Sequence, residues 1–349
     1  MRVDGGEAHA VISVPGYEIV DELGRGGFAT VFRATQLAVG RDVAIKVLSD
    51  PDPPADMVRR FTRESRAVGA LSWHPHIATI FDAGTTPDGR AYIAFELLTG
   101  GSLEDAIALR PMSWPDAVAA TIQVTDAVEA AHRADVLHRD IKPANILRDR
   151  FGQAKLADFG IASMQDGTKT ATGAIAVTVA HAAPEIFDGA GATPLVDVYA
   201  LGSTLHNLIT GSAPFAPLPG EGLIASIGRI ATQPVPALDP APGLVADIVA
   251  RTLAKDPADR WASAADLGRA LQRAQIELGL SSTSMPIVDD DRPDHAGAET
   301  RPIDLTTASP APRVPPQDSS EPEWFTAPPA TTADAAATED SDYAEPEWF

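Results

Sequence analysis

The sequence predicts an α+β fold with two lobes: a small five-stranded antiparallel sheet with one helix, followed by a larger, mainly α-helical lobe. Short segments rich in β-branched and aromatic residues run from residue 17 to about residue 96. Long segments with a helical spacing of apolar residues follow Gly100 and Gly101. This periodicity fades near residue 280, so we expect one folded domain over residues 17–279 and a tail after it.

The strand-like segments of the small lobe are short and are interrupted by one helical pattern. We predict strands over residues 17–23, 30–36, 42–48, 77–83 and 91–96. Residues 87–90, with the sequence Pro-Asp-Gly-Arg, predict a hairpin turn between the last two strands. Residues 56–71 carry apolar residues at helical spacing, and they predict the single helix of this lobe.

The large lobe is predicted to contain helices over residues 115–134, 194–210, 244–255 and 264–278. Proline stands near the start of two of these segments, and Ser263 lies three residues before Asp266. Both features are typical of a helix N-terminus. The lobes therefore meet between residues 97 and 101, with the small lobe over residues 17–97 and the large lobe over residues 101–279.

The two ends of the chain lack this periodicity. Residues 1–16 are expected to be a flexible leader, and residues 280–349 a disordered tail rich in proline, alanine and threonine. From residue 289 onward the chain has 15 acidic residues and 3 arginines, so this part carries more than half of the formal charge of −21. The folded domain is only moderately acidic.

Composition excludes several functions. The strongly negative charge argues against a nucleic-acid surface, which needs clustered lysine and arginine. The absence of cysteine excludes disulfides and thiolate metal sites. No run approaches the roughly 20 apolar residues of a membrane-spanning helix, and we expect a cytoplasmic protein without a membrane span.

A glycine-rich turn lies between the first two predicted strands. Residues 23–31 read Leu-Gly-Arg-Gly-Gly-Phe-Ala-Thr-Val, and glycines allow backbone amides to approach phosphate oxygens closely. The alternative interpretation is an ordinary hairpin whose glycines only satisfy the turn geometry. On the third strand, Lys46 points to the face opposite Ile45, and we expect Glu64 of the following helix to hold its ammonium against phosphates.

The most specific segment is His-Arg-Asp-Ile-Lys-Pro-Ala-Asn at residues 138–145, followed by Asp-Phe-Gly at residues 158–160. Phosphoryl transfer needs a placed nucleophile and concentrated positive charge more than covalent chemistry. We predict that Asp140 orients a substrate hydroxyl and accepts its proton, while Lys142 steadies the transferring group. Asn145 and Asp158 supply the hard oxygen ligands that Mg²⁺ prefers.

The ordered series of these motifs, with Val-Ala-Ile-Lys at residues 43–46 and Ala-Pro-Glu at residues 183–185, resembles the protein kinase superfamily over residues 17–278. Lys142 resembles the serine/threonine branch, and the chain is similar to bacterial members of the eukaryotic-like type, without the transmembrane and sensor regions of receptor kinases. The resemblance implies ATP and Mg²⁺ as cofactors, with Mn²⁺ as an alternative metal, and protein substrates.

The resemblance also implies the residues that bind the cofactor and support the loop. Phe95 resembles the residue behind the adenine pocket, Asp197 the helix residue that braces the catalytic loop, and Arg260 the partner of Glu185 in a structural pair. Thr178 resembles the threonine beside the catalytic aspartate. The expected ATP contacts are Leu23, Gly24, Arg25, Gly26, Gly27, Val31, Ala44, Lys46, Glu64, Glu96, Leu98 and Leu147.

Two departures from the family pattern leave the catalytic residues intact. Ala29 replaces the third glycine of the loop, and Ala182 follows His181 where an aromatic residue and one other commonly precede Ala-Pro-Glu. An inactive nucleotide-binding scaffold and a small-molecule kinase of the same fold are the alternative functions. The retained lysine, aspartates and asparagine argue against the first, and the segment over residues 160–185 argues against the second.

Regulation is expected at two places. Thr168, Thr170 and Thr172 lie in a polar segment, and we expect autophosphorylation at Thr170 or Thr172, with the phosphate bound by Arg139. The alternative is that they are solvated loop threonines without a regulatory role. In the tail, Glu-Pro-Glu-Trp-Phe occurs at residues 321–325 and again at residues 345–349. Such aromatic anchors flanked by acids suggest docking, either on a partner protein or in a groove of this kinase, and two copies would raise avidity. The alternative is a duplication that binds no partner. Dimerisation through the small lobes is left open.

Overall fold

The structure is a computed structural model that describes residues 12–26, 29–50, 55–159, 179–189 and 191–289. The predictions for Gly27, for the threonines at positions 168, 170, 172 and 178, and for the Trp-Phe repeats lie outside the described residues. The same holds for most of the leader. The described part bears out the two-lobed α+β fold.

The small lobe is a five-stranded antiparallel sheet in the order β1-β2-β3-β5-β4. Its strands are β1 (Tyr17–Arg25), β2 (Ala29–Gln36), β3 (Arg41–Leu48), β4 (Ile80–Thr85) and β5 (Ala91–Glu96). Alternate residues of β3 face opposite sides, so Val43, Ile45 and Val47 enter one apolar cluster. Ala44 and Lys46 consequently face the other side of the sheet, toward the large lobe.

Helix α1 (Ala55–Gly69) covers one face of the sheet and buries Phe61 against β3 and β5. The predicted fourth strand over residues 77–83 is wrong at its start, because β4 begins at Ile80. Ile77 instead forms a parallel bridge with Leu156 of the large lobe, and the amide of Ala78 donates to the Leu156 carbonyl at 2.9 Å. Residues 77 and 78 are apolar like a strand and do pair with a strand, but that strand, β7 (Ala154–Leu156), belongs to the large lobe and not to the small sheet.

The large lobe is mainly helical and encloses the principal apolar core. Its elements are α2 (Leu103–Leu109), α3 (Trp114–Arg133), β6 (Ile146–Arg148), β7 (Ala154–Leu156), α4 (Pro184–Phe187), α5 (Pro194–Thr210), α6 (Leu223–Thr232), α7 (Gly243–Thr252) and α8 (Ala264–Glu277). The predicted helix over residues 244–255 ends earlier, at Thr252. Helices α2, α4 and α6 were not predicted, because they are short or lack long apolar repeats.

The chain continues to pack beyond the predicted end of the domain at residue 279. Helix α9 (Pro286–Asp289) lies against α3, and the side chains of Met285 and Val288 are 0% and 3% exposed. Assigning residues 280–289 to a disordered tail was therefore wrong. Two apolar residues three positions apart are a weak signal, which explains the error.

No helix within the described ranges is long and apolar enough to cross a membrane.

Candidate active site

A cavity of about 410 Å³ lies between the sheet and the strand β6. Leu23, Gly24, Val31, Ala44 and Lys46 line it from the small lobe, and Leu147 lines it from the large lobe. Glu96, Leu97 and Leu98, where the lobes connect, form its inner edge, with Phe95 behind them. Most residues that the sequence assigned to a nucleotide therefore surround one cavity.

The connection between the lobes offers its backbone to the cavity. The Glu96 side chain is engaged elsewhere, since its Oε1 accepts from the Thr79 amide at 2.8 Å and pairs with Lys155 Nζ at 2.6 Å. The Glu96 amide donates to the Thr79 carbonyl at 2.9 Å. Glu96 can therefore serve a ligand through its carbonyl, while its carboxylate ties the sheet to β7.

Lys46 and Asp158 form an ion pair inside this cavity, with 2.8 Å between Nζ and Oδ1. Burial raises the pKa of the Asp158 carboxyl, but the ammonium of Lys46, and more weakly that of Lys142, brings it below its ordinary value. Asp158 is thus held as a carboxylate. Glu64 lines a second cavity of about 300 Å³ behind α1, and its contact with Lys46 stays a prediction.

The catalytic loop, residues 138–145, brings three polar side chains into direct contact. Asp140 Oδ2 lies 2.9 Å from Lys142 Nζ and accepts from Asn145 Nδ2 at 3.0 Å. Asn145 Nδ2 also donates to the Asp140 carbonyl at 2.7 Å. Because both amide hydrogens of Asn145 point to Asp140, its carbonyl oxygen is directed away from that residue. Asn145 and Asp158 both line the cavity of about 410 Å³.

A buried carboxylate shapes the backbone of this loop. Arg139 has a φ of 66°, a left-handed backbone conformation that residues other than glycine rarely adopt. Asp197 of α5 accepts from the amides of His138 and Arg139 at 2.8 Å each, and it pairs with His132 Nε2 at 2.8 Å. Asp197 is 0% exposed. The predicted bracing of the loop by Asp197 is confirmed.

His138 links the loop to the segment that carries Asp158. Its Nδ1 lies 3.3 Å from the Asp140 amide, so Nε2 carries the proton and donates to the Ala157 carbonyl at 2.9 Å. Burial lowers the pKa of His138, which agrees with this neutral form. Its ring packs on Phe159 with 4.7 Å between the centroids. Asp158, between these contacts, has a φ of 59°.

The predicted structural pair of Glu185 and Arg260 is confirmed. The two guanidinium nitrogens Nη1 and Nη2 each lie 2.7 Å from one carboxylate oxygen. Arg260 also donates to the carbonyls of Ala254, Leu195 and Lys255. This arginine ties α4 to the loops around α5 and α7, away from the cavity.

Some site residues differ from the sequence prediction. Arg25 does not line the cavity, and its guanidinium pairs with the Glu22 carboxylate at 2.7 Å. The Gly26 amide donates to the Ala29 carbonyl at 2.8 Å within the turn. The prediction missed Ser102 and Asp105, which line the cavity and cap α2 reciprocally. Their Ser-x-x-Asp spacing is a capping-box signal that could have located both. Ala78, Gly101, Ala144 and Ala157 were also missed.

Comparison with known proteins agrees with this geometry. A family model described as "Protein kinase domain" matches residues 17–270. The chain is 45% identical to the serine/threonine-protein kinase PknK of Mycobacterium tuberculosis over 276 residues, covering 78% of this chain and 25% of PknK. It is 34% identical to PrkC of Bacillus subtilis over 286 residues, covering 79% of this chain and 43% of PrkC. The chain thus spans a quarter to less than half of these relatives.

A solved structure shares the fold. The crystal structure of the Mycobacterium tuberculosis PknI kinase domain superposes with a TM-score of 0.59 and 28% sequence identity. The match covers 75% of this chain and 97% of that domain.

Proposed function

Because the chain belongs to the protein kinase family, we propose that it transfers the γ-phosphoryl group of Mg-ATP to serine or threonine hydroxyls of proteins. The observation that carries the proposal is the gathering of Lys46, Asp140, Asn145 and Asp158 at one cavity and its edge. Lys46 and Asp158 are in contact at 2.8 Å, and Asn145 joins Asp140 at 3.0 Å.

The cavity suits a purine nucleotide. Apolar side chains from both lobes, Val31, Ala44 and Leu147 among them, would sandwich the base, and the backbone at Glu96 to Leu98 would hydrogen-bond its edge. Lys46 lies deeper, where its ammonium would meet the α and β phosphates. A volume of about 410 Å³ falls within the usual range for small-molecule sites.

The chemistry of the donors fits Mg²⁺, and Mn²⁺ by the same criterion. Asp158 is held as a carboxylate, and the Asn145 carbonyl oxygen is free of its bonds to Asp140, so both would serve as hard oxygen ligands. When bound, the ion neutralises charge on the phosphate oxygens during transfer. Lys46 Nζ contacts one oxygen of the Asp158 carboxylate, and with ATP bound its ammonium would contact both this carboxylate and the phosphates.

Asp140 is proposed to receive the substrate hydroxyl. Asn145 and Lys142 both contact its Oδ2, which fixes the carboxylate orientation. The hydroxyl would hydrogen-bond to Asp140 and lose its proton to it as its oxygen bonds to the γ-phosphorus and the bond from that phosphorus to the bridging oxygen breaks, releasing ADP. Lys142, beside it, would place positive charge next to the transferring group.

The decisive test is phosphate transfer by purified protein. We expect the wild type to label a generic basic protein from γ-labelled ATP with Mg²⁺, on serine or threonine, and Asp140→Asn to lose at least about 1,000-fold of this rate. Asn is nearly the same shape, so the loss would reflect the missing base. Equal labelling by both proteins would reject the assignment of Asp140, and no labelling by either would favour the scaffold alternative.

We also propose autophosphorylation at Thr170 or Thr172. The support is the kinase function together with the exposed Arg139 beside the catalytic aspartate, which could pair with a phosphate. Mass spectrometry after incubation with ATP tests it. An unmodified segment in a fully active enzyme would contradict it.

The Glu-Pro-Glu-Trp-Phe repeats are proposed to dock a partner protein with a basic rim, on the strength of their sequence and duplication. Deletion of both should change the set of co-purifying proteins, and an unchanged set would reject the idea.

A cytoplasmic location is proposed because the reaction requires ATP, and cell fractionation tests it. Dimerisation is an open proposal that sedimentation of the full chain decides.

A further inference from the structure

Residues 281–289 run back from the end of α8 and pack on the large lobe. Gln275 holds Thr283 at both ends, since its Oε1 accepts from the Thr283 amide at 2.8 Å and its Nε2 donates to the Thr283 hydroxyl at 2.9 Å. The fully buried Met285 fills the space above Gly268, where a Cβ would collide with its thioether. The segment is therefore held on the large lobe by side-chain hydrogen bonds and by a buried side chain that fills the space above Gly268.

A buried carboxylate of α3 anchors the end of this segment. Asp126 Oδ1 accepts from the amides of Ile287 and Val288 at 3.1 Å and 3.2 Å. Asp126 is 0% exposed, and a buried carboxylate without donors would be strongly disfavoured. Arg133 Nη1 adds a bond to the Ile287 carbonyl at 3.2 Å. The first turn of α9 thus supplies donors that Asp126 requires.

The same carboxylate holds the connection between α1 and β4. Asp126 Oδ2 lies 3.0 Å from His74 Nε2, and His74 is 1% exposed. The His76 amide donates to His74 Nδ1 at 3.1 Å, so the proton of His74 is on Nε2 and is donated to Asp126. One carboxylate therefore joins residues 287 and 288 to the segment that leaves α1.

This connection continues to Asp158. The His76 carbonyl accepts from the Leu156 amide at 2.8 Å, and His76 Nδ1 donates to the Ala154 carbonyl at 2.9 Å. Leu156 ends β7, two residues before Asp158. The contacts from α9 through Asp126 and His74 to β7 form one hydrogen-bonded network of largely buried groups, the kind of network that can couple two sites.

We propose that residues 281–289 act as a clamp that positions Asp158 and α1, with Asp126 and His74 as positioning residues. The inference rests on the proposed kinase function for its effect on activity. When the clamp is released, Asp126 loses two donors and its contact with His74 is no longer fixed. The segment at residues 74–78 then holds β7, and through it Asp158, less firmly. A small misplacement of a group that holds the metal beside the reacting phosphates can lower the rate by a large factor.

The test uses the full chain carrying Met285→Asp, which drives a charge into the space above Gly268. Ile276→Asp is the matched control, because Ile276 is an apolar residue of the neighbouring helix α8 that is 63% exposed. We expect Met285→Asp to lower kcat about tenfold, with a smaller change in KM for Mg-ATP, and to speed amide hydrogen exchange over residues 72–78 and 154–157. Ile276→Asp should match the wild type in both measurements.

Faster exchange over residues 281–289 with unchanged kcat and unchanged exchange over residues 72–78 would overturn the proposal. If Met285→Asp does not fold, Met285→Ala opens the same space more gently and is judged by the same two readouts. In a double-mutant cycle with His74→Ala, a clamp acting through His74 gives a double variant no slower than the worse single variant. Additive losses would overturn it. Should the wild type transfer no phosphate, the kinase function fails, and hydrogen exchange still tests the clamp.

Discussion

The two walls of the cleft are held in place by different means. The upper wall, strand β1, is exposed over most of its length, and Leu23 at the cavity is 50% exposed. The lower wall, the catalytic loop, is fixed by Asp197, which is fully buried and accepts from His132 and two loop amides. Groups that position the reacting atoms rest on buried charge, while the wall above the phosphates rests on strand pairing and on exposed side-chain pairs such as Asp21 with Arg33.

This difference has a chemical reason. Phosphoryl transfer depends on placing a hydroxyl and charged groups within fractions of an ångström, and that needs rigid support. A nucleotide must also enter and leave, so the wall that covers it gains from few fixed contacts. Changes in the support of the lower wall should therefore have large effects, and changes at the tip of the upper wall small ones.

The largest effect is expected for Asp197→Asn. The amide would turn a donor toward at least one of the groups that now donate to Asp197, which leaves the left-handed turn at Arg139 unsupported. We expect a loss of about 100-fold in kcat and of about 1 to 3 kcal/mol in the free energy of unfolding. Kinetics and urea unfolding measure them, with the exposed Asp247→Asn as control. Wild-type activity in Asp197→Asn would remove the basis of the comparison.

A smaller effect is expected from pH, through His181 in the large lobe. Burial, with the charges of Lys142 and His206, lowers the pKa of His181 from 6.5 to about 3. The unfolded chain therefore binds a proton between these values that the folded chain does not, so stability falls as pH falls below 6.5. We expect the wild type to lose about 1 kcal/mol more than His181→Gln between pH 7 and pH 5.5.

Urea unfolding at both pH values measures this difference. The buried His76, His138 and His206 also have lowered pKa values and contribute in the same direction, so only the comparison of the two proteins isolates His181. Parallel pH curves for the two proteins would show that His181 takes up a proton without strain.

The smallest effect is expected at the tip of the upper wall. Arg25 is exposed and bonds to Glu22 through both Nε and Nη2, a type of surface pair that contributes little. We expect Arg25→Ala to change kcat/KM for ATP by less than about twofold. An increase in KM for ATP of tenfold or more would instead place Arg25 at the nucleotide, as the sequence alone suggested.

The sequence predicted the small sheet, the main helices and the cavity residues because each depends on local patterns or on short motifs. Val43, Ala44, Ile45 and Lys46 alternate across one strand, so their faces follow from the pleat. The capping pair Ser102 and Asp105 was equally readable but belongs to a helix of only seven residues. The signal for this pair was present in the sequence, but so short a helix was not considered as part of the site.

Other features could not be read from one sequence. The contact of Asp126 with Ile287 joins residues 161 positions apart, and neither residue type suggests the other. The pairing of Ile77 with Leu156 likewise depends on how the lobes meet, which no local pattern specifies. Such long-range contacts are determined by tertiary packing, and in this chain they include the proposed clamp.

The central claim is that Lys46, Asp140, Asn145 and Asp158 act on one magnesium-bound triphosphate. It is tested most directly by calorimetric titration of ATP, with and without Mg²⁺, into the wild type and Asp158→Asn. The account predicts that Mg²⁺ strengthens binding to the wild type by about tenfold or more and that Asp158→Asn loses this gain while it still binds adenine nucleotide. An equal gain from Mg²⁺ in both proteins would contradict it.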